Sequence, residues 1–482
     1  MKRAGVASFA AGLCTLAGFF LLGGAVPLTH AGSAPPATGR TIEVTPETFD
    51  AAMRAAQPGD TLLLADGEYS PQARIASTDS RSAAAESTAA AATAAPSPTR
   101  YVFLQVSGRE GYPITMRAAG KAAVFRGGVS VGGSWIVIDG IRVGWAKTGA
   151  VVGGGEGVTI RNCDIGPVES GSGIWVHYAK HLTIEHNDIH DATSHGIALH
   201  FDTTGAVIRD NYIHDNGNAA VYLDAESRPG EKLRDIVVER NRICHNGSKG
   251  SSAIACMNVV DSVFRNNLLY KNEAGGICFN KGPYDPNVYF GGVEAPTLVE
   301  RVRRYIKTLP PTDNARNRIV CNTVYMEPGK GRYALKMTEK CTRFYVQDNI
   351  FVGGKFGTVF VAPESMRGLS MDNNLIATYE GQLLYGDDCP EDPSKTIKFT
   401  IGEWRKKGYD RHSVFPTDAG FVSVVDDDYR LMPGSTAIDA GCDVSRFCPT
   451  DFEDVKRPQG RGYDCGAYEY MPPTNAKEAS KK

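Results

Sequence analysis

Leu182-Thr-Ile-Glu-His-Asn-Asp-Ile-His-Asp191 and Ala206-Val-Ile-Arg-Asp-Asn-Tyr-Ile-His-Asp215 repeat one pattern 24 positions apart. Each is followed by a second short apolar segment, Gly196-Ile-Ala-Leu199 in the first case and Ala220-Val-Tyr-Leu223 in the second. Working outward, the anchor Asn-x-[Ile/Leu/Val/Phe] recurs at Asn187, Asn211, Asn241, Asn267, Asn322, Asn349 and Asn374, and Asp139-Gly-Ile141 and Cys163-Asp-Ile165 fit the same frame. From Asp139 onward the intervals are 24, 24, 24, 30, 26, 55, 27 and 25, so the register holds except at one large insertion. Period-two apolar segments of three or four residues, joined by Gly, Asn and Asp turns, are too short for helical hairpins. They fit an all-β solenoid, a single-stranded parallel β-helix of about 24-residue coils stacked ~4.8 Å apart, with an N-terminal cap and loop insertions. Asn at each turn is then expected to cap its neighbour's backbone. Leucine-rich repeats would need a regular Leu pattern, and propeller blades a period near ~40 residues.

The coil frame sorts the outward positions. Two residues before the anchor stand Arg161, Glu185, Arg209, Glu239 and Arg265, alternating in sign, which cross-strand ion pairing explains as a structural face. In the downstream segment the outward residues are Trp175, Ala198, Tyr222, Ala255 and Cys278, then His177, His200, Asp224, Met257 and Asn280, with Asp202, Glu226 and Lys281 next to them. His190-Asp191 and His214-Asp215 repeat one coil apart. Eight of the ten histidines lie between 177 and 245, the strongest functional signal in the chain.

The 482 residues carry 53 Gly and a net charge of −2. That near balance argues against a nucleic-acid binder, which needs a basic surface. Met1-Lys-Arg3, an apolar stretch to Pro27 and Thr29-His-Ala31 read as a secretory signal peptide over residues 1–31. The alternative is a retained transmembrane anchor. Removing that segment leaves a net charge of −4 and no later apolar span, so a secreted or periplasmic location in a bacterial envelope and a monomer are expected. Ten cysteines then remain, without metal-type spacing, and Cys442, Cys448 and Cys465 are the expected pairing group. Residues 76–99 are a low-complexity loop, and 471–482 a polar tail. Residues 283–317 are an insertion in one coil, with a helix expected over 297–308. Residues 378–470 form a closing segment with a helical stretch over 399–409.

Phe49-Asp-Ala-Ala-Met-Arg-Ala-Ala-Gln-Pro-Gly-Asp-Thr-Leu-Leu-Leu-Ala-Asp-Gly-Glu-Tyr69, Tyr112-Pro-Ile-Thr-Met-Arg117 and the Asn-anchored coils resemble the pectate-lyase-like right-handed parallel β-helix superfamily. Leu431-Met-Pro-Gly-Ser-Thr-Ala-Ile-Asp-Ala-Gly441, Arg457-Pro458 and Asp464-Cys-Gly-Ala-Tyr-Glu-Tyr470 look like the closing segment of exported bacterial β-helix proteins. The resemblance covers residues 41–470 and implies a carbohydrate-active protein. The opening is most like that of alginate and dermatan lyases, but their calcium-binding Asn/Glu cluster with a catalytic Lys and Arg does not align here. The Asp-Pro-His-Glu motif of alginate epimerases is absent, since Asp285-Pro286 continues with Asn287-Val288. No catalytic residue is carried over.

The leading expectation is a polysaccharide lyase acting by β-elimination on a uronate-containing glycan. His177, His200, His214 and Lys281 are candidates for the proton transfers and charge stabilisation. A glycoside hydrolase would use paired carboxyl groups such as Asp224 and Glu226. A non-catalytic glycan-binding or cell-surface β-helix protein is the third reading. Trp175, Asp202, Tyr222, Asn280, Tyr284 and Tyr289 are the candidate substrate contacts. Calcium would take carboxylates and carbonyls, and a transition metal the histidines; the spacing selects neither.

Overall fold

The structure is a computed structural model that describes residues 39–70, 101–147, 149–225, 231–280, 314–327, 329–338, 341–377, 382–386 and 396–472. Short strands stack into three long sheets of 12, 11 and 12 strands, with an additional sheet of four. Successive coils add one strand to each long sheet: Ile160 pairs with Ile184 in the first, Ile165 with Ile189 in the second, and Val176 with Leu199 in the third. Pairing is parallel until the hairpin Gln382–Gly386 with Thr396–Thr400. Inward Ile, Val and Leu from all three sheets form one continuous core. The apolar run is short in each strand because only alternate positions face inward.

The sharp corners have a local cause. The residue leaving the first sheet is left-handed in coil after coil: His186, Asp210, Arg240, Asn266, Cys321 and Asp348 have φ between 49° and 57°. A non-glycine residue there costs roughly 1 kcal/mol, and the next residue offsets it. Each anchoring Asn accepts its predecessor's backbone N–H on Oδ1, from Asn187 through Asn374, at 3.0–3.2 Å. Its own amide donates to a backbone carbonyl of the previous coil, as Asn241 does to Ile208 at 2.9 Å. A second ladder, Asn216, Asn246 and Asn272, follows the same rule at the corner after the second sheet, where Asp215, His245 and Lys271 are left-handed. The alternating charges of the first sheet also pair: Arg209 with Glu185 at 2.6 Å and Arg265 with Glu239 at 2.5 Å.

The 55-residue interval is one coil, because Val263 pairs directly with Arg318 and Ile277 with Leu335. Residues 281–313, including the helix expected at 297–308, lie outside the described residues, as do the signal segment and the whole of the 76–99 run. At the N-terminal end the helix Phe49–Ala55 lays Phe49 on Tyr69 and Phe125. In the closing segment the helix is Ile401–Lys406, shorter than expected because Thr396–Thr400 is taken by the hairpin and Thr400 caps the helix.

The hairpin extends the third sheet, and the rest of the closing segment packs on the first and second sheets. Phe421 and Tyr429 pack on Tyr270 and Tyr325, and Phe447 on Tyr345. The expected group Cys442, Cys448 and Cys465 does not pair. Their thiols are directed separately at Gln347, Asn266 and the Asn373 carbonyl, and every described cysteine is a free thiol. Among the described residues no helix is long and apolar enough to cross a membrane.

Candidate active site on the third sheet

Period-two alternation puts one row of side chains on the outer face of the third sheet. In register it runs Phe103, Ser130, Val152, Trp175, Ala198, Tyr222, Ala255, Cys278, Lys336 and Phe360. A second row runs His177, His200, Asp224 and Met257. The two rows meet around the small Ala198, which leaves space between Trp175 and Tyr222.

Within that space the rings crowd. Trp175 stands edge-on to His177 at 4.9 Å and to His200 at 6.1 Å, and Tyr222 lies 5.7 Å from His200. The Tyr222 hydroxyl donates to Asp224 Oδ2 at 3.1 Å, and His200 Nδ1 lies 4.0 Å from the same oxygen. His195 stacks on Tyr222 at 4.1 Å while its Nδ1 accepts the Ala219 backbone N–H. That bond fixes the neutral tautomer with the proton on Nε2. Burial pushes His195 down to about 4. Burial also lowers His200, and His177 adds to the effect while Asp224 opposes it. Both imidazoles are therefore neutral near pH 7; the acceptor nitrogen of His195 is taken by Ala219, which leaves His200 as the one of the two suited to accept a proton. On the rim, Trp175 is 41% and Tyr178 44% exposed, and Tyr178 stacks on Phe201 at 5.2 Å.

On the other side of Tyr222 lies a cleft of ≈ 330 Å³, lined by Tyr222 itself and by Asn218, Lys249, Ser251, Ser252, Asn280, Arg332 and Lys336 among others. Asn280 closes one wall and accepts the Cys278 thiol at 3.1 Å.

The structure thus brings together Trp175, His177, His200, Tyr222 and Asp224, with Asn280 further along the same face. Asp202 sits at the rim, 3.9 Å from Arg234. His214 is on the second sheet instead, in line with His190. Its Nε2 meets Asp188 at 2.9 Å and its Nδ1 meets Asp215 at 2.6 Å, so both nitrogens are engaged by carboxylates. Glu226, Lys281, Tyr284 and Tyr289 lie outside the described residues. Among the described residues no three or more His, Cys, Asp or Glu side chains converge to hold a metal ion. Asp224, with one carboxylate and an imidazole beside it, does not make an oxygen-rich calcium cage.

Sequence reasoning missed His195, Tyr178 and Phe201, which sit at corners outside the strand frame. It also missed Lys249, Arg332 and Lys336. The signal for Lys336 was the strand Leu335–Met337, hidden because it starts further from its anchor Asn322 than most of the corresponding strands do from theirs.

A model of the right-handed β-helix region matches residues 127–291. The pectate lyase Pel9A superposes with a TM-score of 0.53 at 15% identity, over 90% of this chain and 96% of that one. The fold is that of the pectate-lyase-like right-handed parallel β-helix. Two mannuronan C5-epimerases of Azotobacter vinelandii are similar to parts of this β-helix. AlgE5 is 28% identical over 106 residues, 22% of this chain and 10% of that protein, and AlgE3 is 29% identical over 111 residues, 23% and 6%. This β-helix therefore matches a tenth or less of the length of those relatives.

Proposed function

We propose that the chain is an exported, carbohydrate-active β-helix protein that cleaves a uronate-containing glycan by β-elimination on the outer face of its third sheet. The observation that carries this reading is the neutral, largely buried His200 beside the Tyr222–Asp224 hydrogen bond, on the outer face of the third sheet. The similarity to a pectate lyase fold and to segments of mannuronan epimerases supports a polyuronate as the substrate class.

In this reading His200 takes the proton at C5, the C5–H electrons form the C4–C5 double bond, and the C4–O bond breaks. The Tyr222 hydroxyl protonates the leaving oxygen. Asp224, which accepts from Tyr222, is a positioning residue that fixes the hydroxyl. A neutral imidazole and a phenol suit the two tasks because a base must be unprotonated and an acid protonated at the working pH. Trp175 and Tyr178 present apolar faces on which a sugar ring can stack.

The test is mass spectrometry of products after incubation with acidic and neutral polysaccharides, with calcium, with zinc and with chelator. Unsaturated fragments are expected, and His200→Ala should abolish them. Fragments carrying an added water would move the assignment to a hydrolase. No cleavage of any glycan would leave a binding protein.

A further inference from the structure

The cleft beyond Tyr222 has a lining that the elimination chemistry does not use. Three cations reach it from separate parts of the chain: Lys249 from the turn after the second Asn ladder, Arg332 from the turn before Leu335–Met337, and Lys336 from that strand. Among the described residues that line it there is no Asp or Glu, although the chain as a whole carries two more acids than bases. Other polar lining residues, Ser251, Ser252 and Asn218 among them, offer further hydrogen-bond donors. The Nζ of Lys249 donates to the Thr193 carbonyl at 2.6 Å, which holds the ammonium in place beside the cleft with two more N–H groups. Lys336 stands three register steps from Tyr222, through Ala255 and Cys278, or about 14 Å along the sheet.

We propose that Lys249, Arg332 and Lys336 form an anion subsite that takes the carboxylate or sulfate groups of a glycan chain lying along the third sheet. The inference rests on the reading of that sheet as the substrate face and adds polarity to it: aromatic at the Trp175 end, cationic at the Lys336 end. A local field of one sign in a concave wall attracts a polyanion even when the whole molecule is slightly acidic.

The experiment measures binding of the full chain to alginate (carboxylate only), dextran sulfate (sulfate only) and dextran (neutral), at low and high salt. The parent is expected to prefer one or both polyanions over dextran, with affinity falling as salt rises. Arg332→Gln/Lys336→Met should weaken polyanion binding at least tenfold, whereas Lys336→Arg should keep it, which separates lost charge from lost fold. Polyanion binding within twofold of the parent in the double variant overturns the proposal, as does a parent that binds dextran equally well or binds no polyanion. His200→Ala distinguishes the two readings. If it still cleaves while the double variant has lost binding, the elimination assignment fails and the subsite stands. If the double variant keeps binding, the subsite fails whatever happens to turnover.

Discussion

At the scale of single residues, the decisive fact about His200 is where its proton is held. Burial among Trp175, Phe201 and Tyr222 disfavours the imidazolium, and the carboxylate of Asp224, 4.0 Å away, only partly restores it. Base catalysis needs the free imidazole, so the acid limb of kcat/KM is expected to fall below the ordinary histidine value of about 6.5. A limb centred above about 7 would exclude His200 as the base. His200→Ala should lower kcat by about a hundredfold or more while leaving glycan affinity in place. Tyr222→Phe should lower kcat with little change in KM, because the ring and its stacking on His195 persist while the transferable proton is gone. Equal losses in binding and turnover would show Tyr222 to be a substrate contact alone.

The elements show why a histidine-rich stretch of sequence does two different jobs. His190 and His214 stack at 5.4 Å on the second sheet, each bridging two carboxylates. For His214, burial lowers the proton affinity, but Asp188 and Asp215 more than offset it, and the net shift is upward. A raised value in the fold means that the charged ladder stabilises fully below the unfolded value near 6.5 and fades as pH climbs through the folded one. His214→Gln should therefore destabilise more at about pH 5.5 than at about pH 8.5 in thermal unfolding; an equal loss at both would mean that the ring acts by packing only. The Asn ladder is a stronger element. Asn241 accepts from the Asn211 backbone and amide and donates to Ile208, Glu239 and Asn267. Asn241→Ala strands several buried polar groups and should cost roughly 3 kcal/mol or more in denaturant unfolding. This ladder was legible in the sequence because every coil repeats it at a fixed frame. The parallel ladder at Asn216, Asn246 and Asn272 went unread although it sits five residues after the anchors Asn211, Asn241 and Asn267, since the other anchors have no Asn at that offset and no Ile, Leu, Val or Phe follows at the fixed two-residue step that marks the first ladder.

Over the whole molecule, the coil order was readable because repetition averages out local ambiguity, whereas the site needed coordinates because its members come from different coils. Trp175, His200 and Tyr222 could be placed on one face by counting, but Arg332 lies in, and Lys336 follows, a longer loop after the anchor Asn322, which shifts the strand Leu335–Met337 out of the usual frame. The assignment of His214 failed for a related reason: a histidine repeated one coil later looks the same on a structural sheet and on a substrate face, and only its partners distinguish them. At this scale the closing segment covers the first two sheets, and its anchor is Arg457. That side chain is fully buried, pairs with the equally buried Glu469 at 2.8 Å, and donates to the Gly466 carbonyl at 2.7 Å and to Asn266 at 3.3 Å. It thereby ties the C-terminal turn to a left-handed corner of the β-helix itself. Arg457→Met removes one partner and leaves a buried carboxyl group, a change that typically costs about 3–5 kcal/mol. Burial already raises Glu469 to about 7, with Arg457 opposing the rise, so loss of the arginine should drive Glu469 further toward its neutral form. The double variant Arg457→Met/Glu469→Leu removes both charges and should recover much of the lost stability. Recovery measured by denaturant unfolding would show that the pair's main effect is to avoid an unpaired buried charge. If instead the double variant is as unstable as the single one, the bonds from Arg457 to Gly466 and Asn266 are what hold the closing segment on the first two sheets.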